Sequence, residues 1–156
     1  MTTGRIALDE IDLSILRELQ RNGRVSINEL ASRVSVSRAT AYARLERLRT
    51  EGAITGFTTV LDPDVIGLGV AAIVLVNVEQ HQWRESLTEL AALPGVERVL
   101  VTSGTSDFAL LVRVADIGDL RDVLLGRLQA MSRVRSSQTI FVLGERDNGL
   151  DLSLLA

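Results

Sequence analysis

The sequence predicts an α+β chain in two parts, a helix-turn-helix followed by a ferredoxin-like βαββαβ domain. Three observations carry this. Helix-capping residues recur at short intervals between Asp9 and Gly52, around apolar positions of helical period. From Val70 onward, short valine-rich runs alternate with two amphipathic stretches. The charge divides along the same line. Residues 1–60 hold nine arginines against seven acids and residues 61–156 eight against thirteen, within a net charge of −3. The pattern is a basic head on an acidic body.

Asp9 is placed to cap a first helix whose apolar positions are Ile11, Ile15, Leu16 and Leu19. Asn22-Gly23 is expected to end it, since both residues tolerate the left-handed conformation. Ser26-Ile27-Asn28-Glu29 has the form of a capping box, which opens a short second helix carrying Leu30 and Ala31 inward and ending near Val34. Ser35-Val36 makes the turn. Ser37 caps a third helix, with Ala41, Leu45 and Leu48 as its buried stripe, and Gly52 closes it.

Three such helices with a tight turn between the last two form the layout in which the third enters the major groove of double-stranded DNA, N-terminal end first. Base-edge contact falls to Arg38, Ala39 and Tyr42, on the face opposite Leu45 and Leu48, and phosphate contact mainly to Arg44 and Arg47. Ser37 and Thr40, in the first turn, complete the DNA-binding set. The competing reading makes these arginines a solvated helix face paired with Glu46 and Glu51. All fixed positive charge is guanidinium, as the chain has no lysine; codon bias in a GC-rich genome accounts for that, and guanidinium also suits bidentate contacts to phosphate and guanine.

An extended run from Ile54 to Leu61, ended by Asp62-Pro63, is expected to form a strand leading into a linker up to Gly69. Val70 to Val78 follows as a strand apolar on both faces, hence central or covered twice. Gln82 to Ala92 is a helix, and Val96–Thr102 and Asp107–Val114 are strands around the loop Ser103-Gly104-Thr105-Ser106. A second helix is marked by Ile117, Leu120, Leu124, Leu128 and Met131, and Val134–Leu143 is the last strand. In a βαββαβ sheet the two helices cover one face. An apolar second face of this size predicts a homodimer through the domain, which suits paired DNA half-sites. The expected divisions are 1–53, 54–69, 70–144 and a tail 145–156, whose leucines 150, 152, 154 and 155 are expected to dock on a neighbouring subunit.

These residues resemble the Lrp/AsnC (feast/famine) regulators. The markers are Leu8-Asp9-Glu10-Ile11-Asp12, Ile15-Leu16, Ser37, Arg44-Leu45-Glu46-Arg47-Leu48 and Glu51-Gly52-Ala53-Ile54, then Gly104-Thr105-Ser106-Asp107-Phe108 and Ser137-Gln138-Thr139. The resemblance implies a winged type of helix-turn-helix, a C-terminal domain that dimerises by its sheets, and assembly of dimers into octamers. It also implies a small-molecule effector, often an amino acid, near the loop Gly104 to Asp107, with Ser103, Ser137 and Thr139 beside it. Physically, a turn at Gly104 exposes amide donors that suit a carboxylate, and Asp107 suits an ammonium group. The plainer alternative is a turn whose Asp107 caps local amides. Arg38 stands where that family often has a small residue or proline, and Ser137 where threonine is common.

Catalysis is not expected. There is no cysteine, His81 is the only histidine and lies at a helix start, and no glycine-rich phosphate cradle is present. Asp119 and Asp122 fall on the open face of a helix. No cofactor or metal is expected. With no apolar stretch of membrane-spanning length and no signal pattern, the default location is the cytoplasm. The alternative function is a ferredoxin-like oligomer that binds a small molecule, or an enzyme, without specific DNA binding.

Overall fold

The computed structural model describes residues 6–79 and 83–155. They fall into two compact units, one running up to Val60 and resuming at Asp147, the other running from Leu61 to Arg146. His81 lies outside the described residues.

The first unit is built from helices α1 (Glu10–Arg21), α2 (Ile27–Arg33) and α3 (Arg38–Thr50). Asp9 accepts from the Asp12 amide at 2.9 Å while the Asp12 carboxylate accepts from the Asp9 amide at 3.0 Å, so the reciprocal capping box stands here. At the expected box only half forms. Ser26 Oγ accepts from the Glu29 amide at 3.2 Å, but the Glu29 carboxylate pairs with Arg33 one turn on, at 2.7 Å. α1 ends on an extended Asn22 (φ −147°) rather than a left-handed one. The turn before α3 passes through Ser35 at φ 55°. Ile15, Leu30 and Leu48 form the core, closed by half-buried Ile11, Leu16, Leu19, Val34 and Ile54.

One member of this packing is charged. Asp12 has 0% exposure, on the inward side of α1. Taking a carboxylate out of water costs several kcal/mol unless charge and hydrogen bonds compensate it. Here α3 supplies the compensation: Arg44 Nη1 lies 3.2 Å from Asp12 Oδ1, and Arg47 Nη2 bonds Oδ2. Arg44 also bonds Asp9, so both guanidiniums turn toward α1. These carboxylates hold both arginines above the usual guanidinium range, Asp9 acting most strongly on Arg44 and Asp12 on Arg47.

The run expected as a strand, residues 54–61, has no ladder partner among the described residues, so the three helices stand there without a paired wing. Phe57, Val60 and Leu61 along it are exposed. A turn follows, in which the Leu68 amide donates to the Pro63 carbonyl at 2.7 Å.

The second unit runs β1 (Val70–Val78), α4 (Trp83–Ala91), β2 (Val96–Val101), β3 (Phe108–Val114), α5 (Ile117–Arg121), β4 (Val134–Phe141). The strands form one antiparallel sheet in the order β2-β3-β1-β4, which is the predicted βαββαβ topology with β1 central. α5 widens into a π-helical continuation over Asp122–Leu128. Its spacing of five brings Val123 and Leu128 inward together, leaving Leu124 half-buried where a strict α period would bury it. Ala72, Val74, Val76, Phe108, Leu110 and Val112 form the helix-covered core with Leu90, Leu120 and Leu128. Gly95, at φ +78°, leads into β2, and a Cβ there would meet Val114 Cγ1 at 2.8 Å.

Among the described residues no helix of this unit covers the other face. Ile73, Leu100 and Ile140 are exposed there, alongside half-buried Leu75 and Leu111. Arg113 shares that face, held by Glu97 at 2.9 Å and Glu145 at 2.6 Å.

Two outcomes are expected. Asp12→Ala costs about 3 kcal/mol, the low end for a broken buried pair because both guanidiniums keep about a third of their surface in water. Urea unfolding of the full chain measures this, and a loss under 1 kcal/mol contradicts it. Acid weakens the first unit. Asp9 lies below its ordinary 3.8, through the Asp12 amide first and then Arg44. Glu18 lies below its ordinary 4.5, through Arg33 first. Because both are depressed on folding, the unfolded chain takes up protons first as pH falls. The stability they contribute is present above about pH 5 and is lost as pH falls through the lowered native values. Melting temperatures followed by circular dichroism between pH 6 and 3 check the sign.

Candidate functional site

The N-terminal end of α3 is built by its cap. Ser37 Oγ accepts from the Thr40 amide at 3.1 Å and lies 2.8 Å from Thr40 Oγ1, so these two hydroxyls fix the helix start. Arg38, Ala39, Tyr42 and Ala43 are exposed, Tyr42 to 59%. Among the described residues Arg38 makes no ion pair or hydrogen bond, which leaves its guanidinium available to a partner. Ile27, Arg38, Ala39, Tyr42 and Leu45 line a shallow depression of about 520 Å³. Leu45 therefore sits beside Arg38 and Tyr42 and not opposite them, because positions 38, 42 and 45 form a helical stripe of their own. Ala41 and Leu48 alone are fully buried on α3.

Arg44 and Arg47 do not join this surface as the sequence suggested. Their guanidiniums answer the buried Asp12 carboxylate, a demand that solvent-facing phosphate does not make. Arg47 also pairs with Glu51 and Arg49 with Glu46, as helical spacing allows. The missed residue is Asp12, and its signal was an acid at an inward position between Ile11 and Ile15.

A second candidate lies where β1 ends and β3 and β4 begin. The loop before β3 is closed by Thr102, whose amide donates to the Asp107 carbonyl at 2.9 Å and whose hydroxyl donates to the Ser106 carbonyl at 2.5 Å. The Asp107 amide donates to the Val76 carbonyl at 3.1 Å, and Asp107 Oδ2 accepts from the Val78 amide at 2.9 Å. One oxygen of the Asp107 carboxylate is thus committed to an amide 29 positions away on β1, and not to the local amides of a turn cap. Gly104 holds φ +133° with no heavy atom within 4 Å of where a Cβ would stand, so the backbone conformation and not space requires glycine there.

Asn77, Val78, Thr105, Asp107, Arg135 and Ser136 line a cleft of about 390 Å³. Asn77 Nδ2 donates to Ser136 Oγ at 3.1 Å across the strands. The cleft combines one carboxylate, one guanidinium and neutral polar groups, and Arg135 has no ion-pair partner among the described residues. Of the residues expected here, Thr105 and Asp107 line it, while Ser103, Gly104 and Ser106 shape the loop. Ser137 and Thr139 are not brought in. They stand opposite Val76 and Val74, on the helix-covered side, because side chains alternate along β4. Arg135 is carried in by a register shift between Asn77 and Val78, which no sequence pattern marks.

Residues 8–49 match the AsnC-type helix-turn-helix domain and residues 71–149 the Lrp/AsnC ligand binding domain. The leucine-responsive regulatory protein of Haemophilus influenzae is 33% identical over 142 residues, covering 89% of this chain and 86% of its own. An HTH-type transcriptional regulator of Pyrococcus abyssi is 34% identical over 135 residues, covering 86% and 85%. Among solved structures, a transcriptional regulator of Neisseria meningitidis in complex with L-Met superposes with a TM-score of 0.90 at 28% identity, over 96% of this chain and 100% of that one. AsnC of Escherichia coli superposes with a TM-score of 0.86 at 26% identity, over 94% and 99%. With both halves matched in order, on an N-terminal three-helix unit and an antiparallel βαββαβ sheet, this chain belongs to the Lrp/AsnC family of HTH-type transcriptional regulators.

Proposed function

We propose that this regulator binds operator DNA as a symmetric dimer through the N-terminal end of α3, and that an amino acid in the cleft beside Asp107 modulates that binding. The observation that carries the first part is the capped start of α3 with an unpaired guanidinium. Arg38, Ala39 and Tyr42 reach base edges, the guanidinium to a guanine edge and the apolar groups to a thymine methyl. Ser37 and Thr40 approach the backbone at the helix start. Arg44 and Arg47 set the angle of α3 through Asp12 and contribute to phosphate contact only with the surface they keep exposed.

The cleft suits a zwitterion. Arg135 faces a carboxylate, the uncommitted Asp107 oxygen an ammonium, and the hydroxyls of Thr105 and Ser136 the remaining polar atoms. The L-Met complex of the Neisseria relative supports this ligand class. The open sheet face, with Ile73, Leu100 and Ile140 exposed, supports a second copy as its cover, and assembly of such dimers into an octamer extends the same reading. The relatives are named as regulators, and no catalytic role is proposed. No described helix is long and apolar enough to cross a membrane, and we place the regulator in the cytoplasm with its DNA.

A gel shift of the full chain on DNA upstream of its own gene tests the reading. Specific retention against competitor DNA, falling steeply as salt rises, is expected, and a flat salt response contradicts it. Arg38→Ala costs about 1–3 kcal/mol of specific binding and relaxes base preference without lowering the melting temperature. An unchanged selected motif refutes the base-edge role. For the cleft, a thermal-shift screen over the amino acids, L-methionine included, is expected to find stabilising ligands. Asp107→Asn keeps an oxygen for the Val78 amide and removes the charge, so ligand stabilisation falls at least about tenfold in apparent affinity while the ligand-free melt holds. A retained shift places the ligand elsewhere.

A further inference from the structure

The tail belongs to the helical unit. Gln20 Nε2 donates to the Leu150 carbonyl at 3.1 Å, which ties residues 147–155 to α1 of the same chain and not to the sheet they follow. The tail is shaped for this by two of its own carboxylates. Asp147 accepts from the Gly149 amide at 2.8 Å, and Asp151 accepts from the Ser153 amide at 2.9 Å, capping a 3-10 turn over Leu152–Leu155. The Asp151 carboxyl lies below its ordinary 3.8, held first by the Ser153 hydroxyl and amide and least by the charge of Arg17 on α1, and Leu152 is half-buried. One exposed hydrogen bond and one screened attraction are a weak tie, of the kind a two-state element requires.

The residues before the tail connect it to the cleft. β4 begins at Val134, carries Arg135 and Ser136 into the cleft, and runs on to Phe141. Glu145 is then held by Arg113 on the sheet, two residues before the tail opens at Asp147. At the other end α1 is tied to α3 through Asp12, Arg44 and Arg47. We infer that the C-terminal tail is a coupling strap that passes the state of the cleft, along β4, to α1 and so to the DNA-reading helix. This rests on the reading of the cleft as an amino-acid site. A ligand that bridges Arg135 and Asp107 biases the strap only by the difference in its affinity for the docked and undocked forms.

The test uses the full-length Gln20→Ala/Asp151→Ala variant, whose changes touch neither the DNA-reading residues nor the cleft. Hydrogen exchange is expected to speed by about tenfold in residues 148–155 and the last turns of α1, with the sheet unchanged. L-methionine, or whichever amino acid stabilises the unmodified chain, is expected to bind the variant with unaltered affinity. DNA affinity without ligand is expected to stay within about twofold, while the ligand no longer changes it. Unchanged exchange overturns the docking. A variant whose DNA binding still responds to the amino acid overturns the strap while leaving the cleft reading intact. If the unmodified chain responds to no amino acid, the cleft reading fails and the coupling fails with it.

Discussion

The Asp12 carboxylate is the constraint on which the helical unit depends. A single anion sealed under α1 is tolerable only if cations reach it from a neighbouring element, and the arginines one turn apart on α3 do so. That requirement fixes which face of α3 turns inward more firmly than apolar contacts alone, since hydrophobic packing is non-directional and a bridged carboxylate is not. The side of α3 left outward begins at Arg38 and passes through Tyr42, the surface we propose for DNA. The same constraint takes Arg44 and Arg47 out of the set of freely available cations.

In the second unit the governing constraint is the alternation of side chains along central strands. Valines at 74 and 76 and their neighbours on β3 bury one face under α4 and α5. The alternate positions must then face outward, apolar as they are at Ile73 and Leu75. The open face and the cleft are consequences of the same pairing. Where β1 ends, the ladder slips by a residue and the strand ends spread polar groups around Asp107. The proposed effector cleft thus lies at the limit of the ladder, beside the uncovered apolar face.

Much of this was legible in the chain itself. The three helices, their caps at Asp9, Ser26 and Ser37, and the order and approximate ends of all four strands followed from period and capping. Where the reading failed, the cause was which partner the fold supplied. The strand expected over the extended run 54–61 has no ladder partner among the described residues, and an extended run does not supply one. Glu29 had the spacing of a capping box but found Arg33. Ser137 and Thr139 share a side, as expected, but the side is set by their partners Val76 and Val74.

By itself the sequence determined the two-part α+β plan, the family and the outward row at the start of α3, because these rest on local propensity, period and spacing. Only the tertiary structure decided what the charged residues do. Arg44 and Arg47 were assigned by the burial of Asp12, Arg135 by a slip in the ladder, and the tail by a hydrogen bond to Gln20 across 130 positions. The physical reason is common to all three. A charge or an amide takes its role from what the fold brings beside it, and that is not its neighbour in the chain.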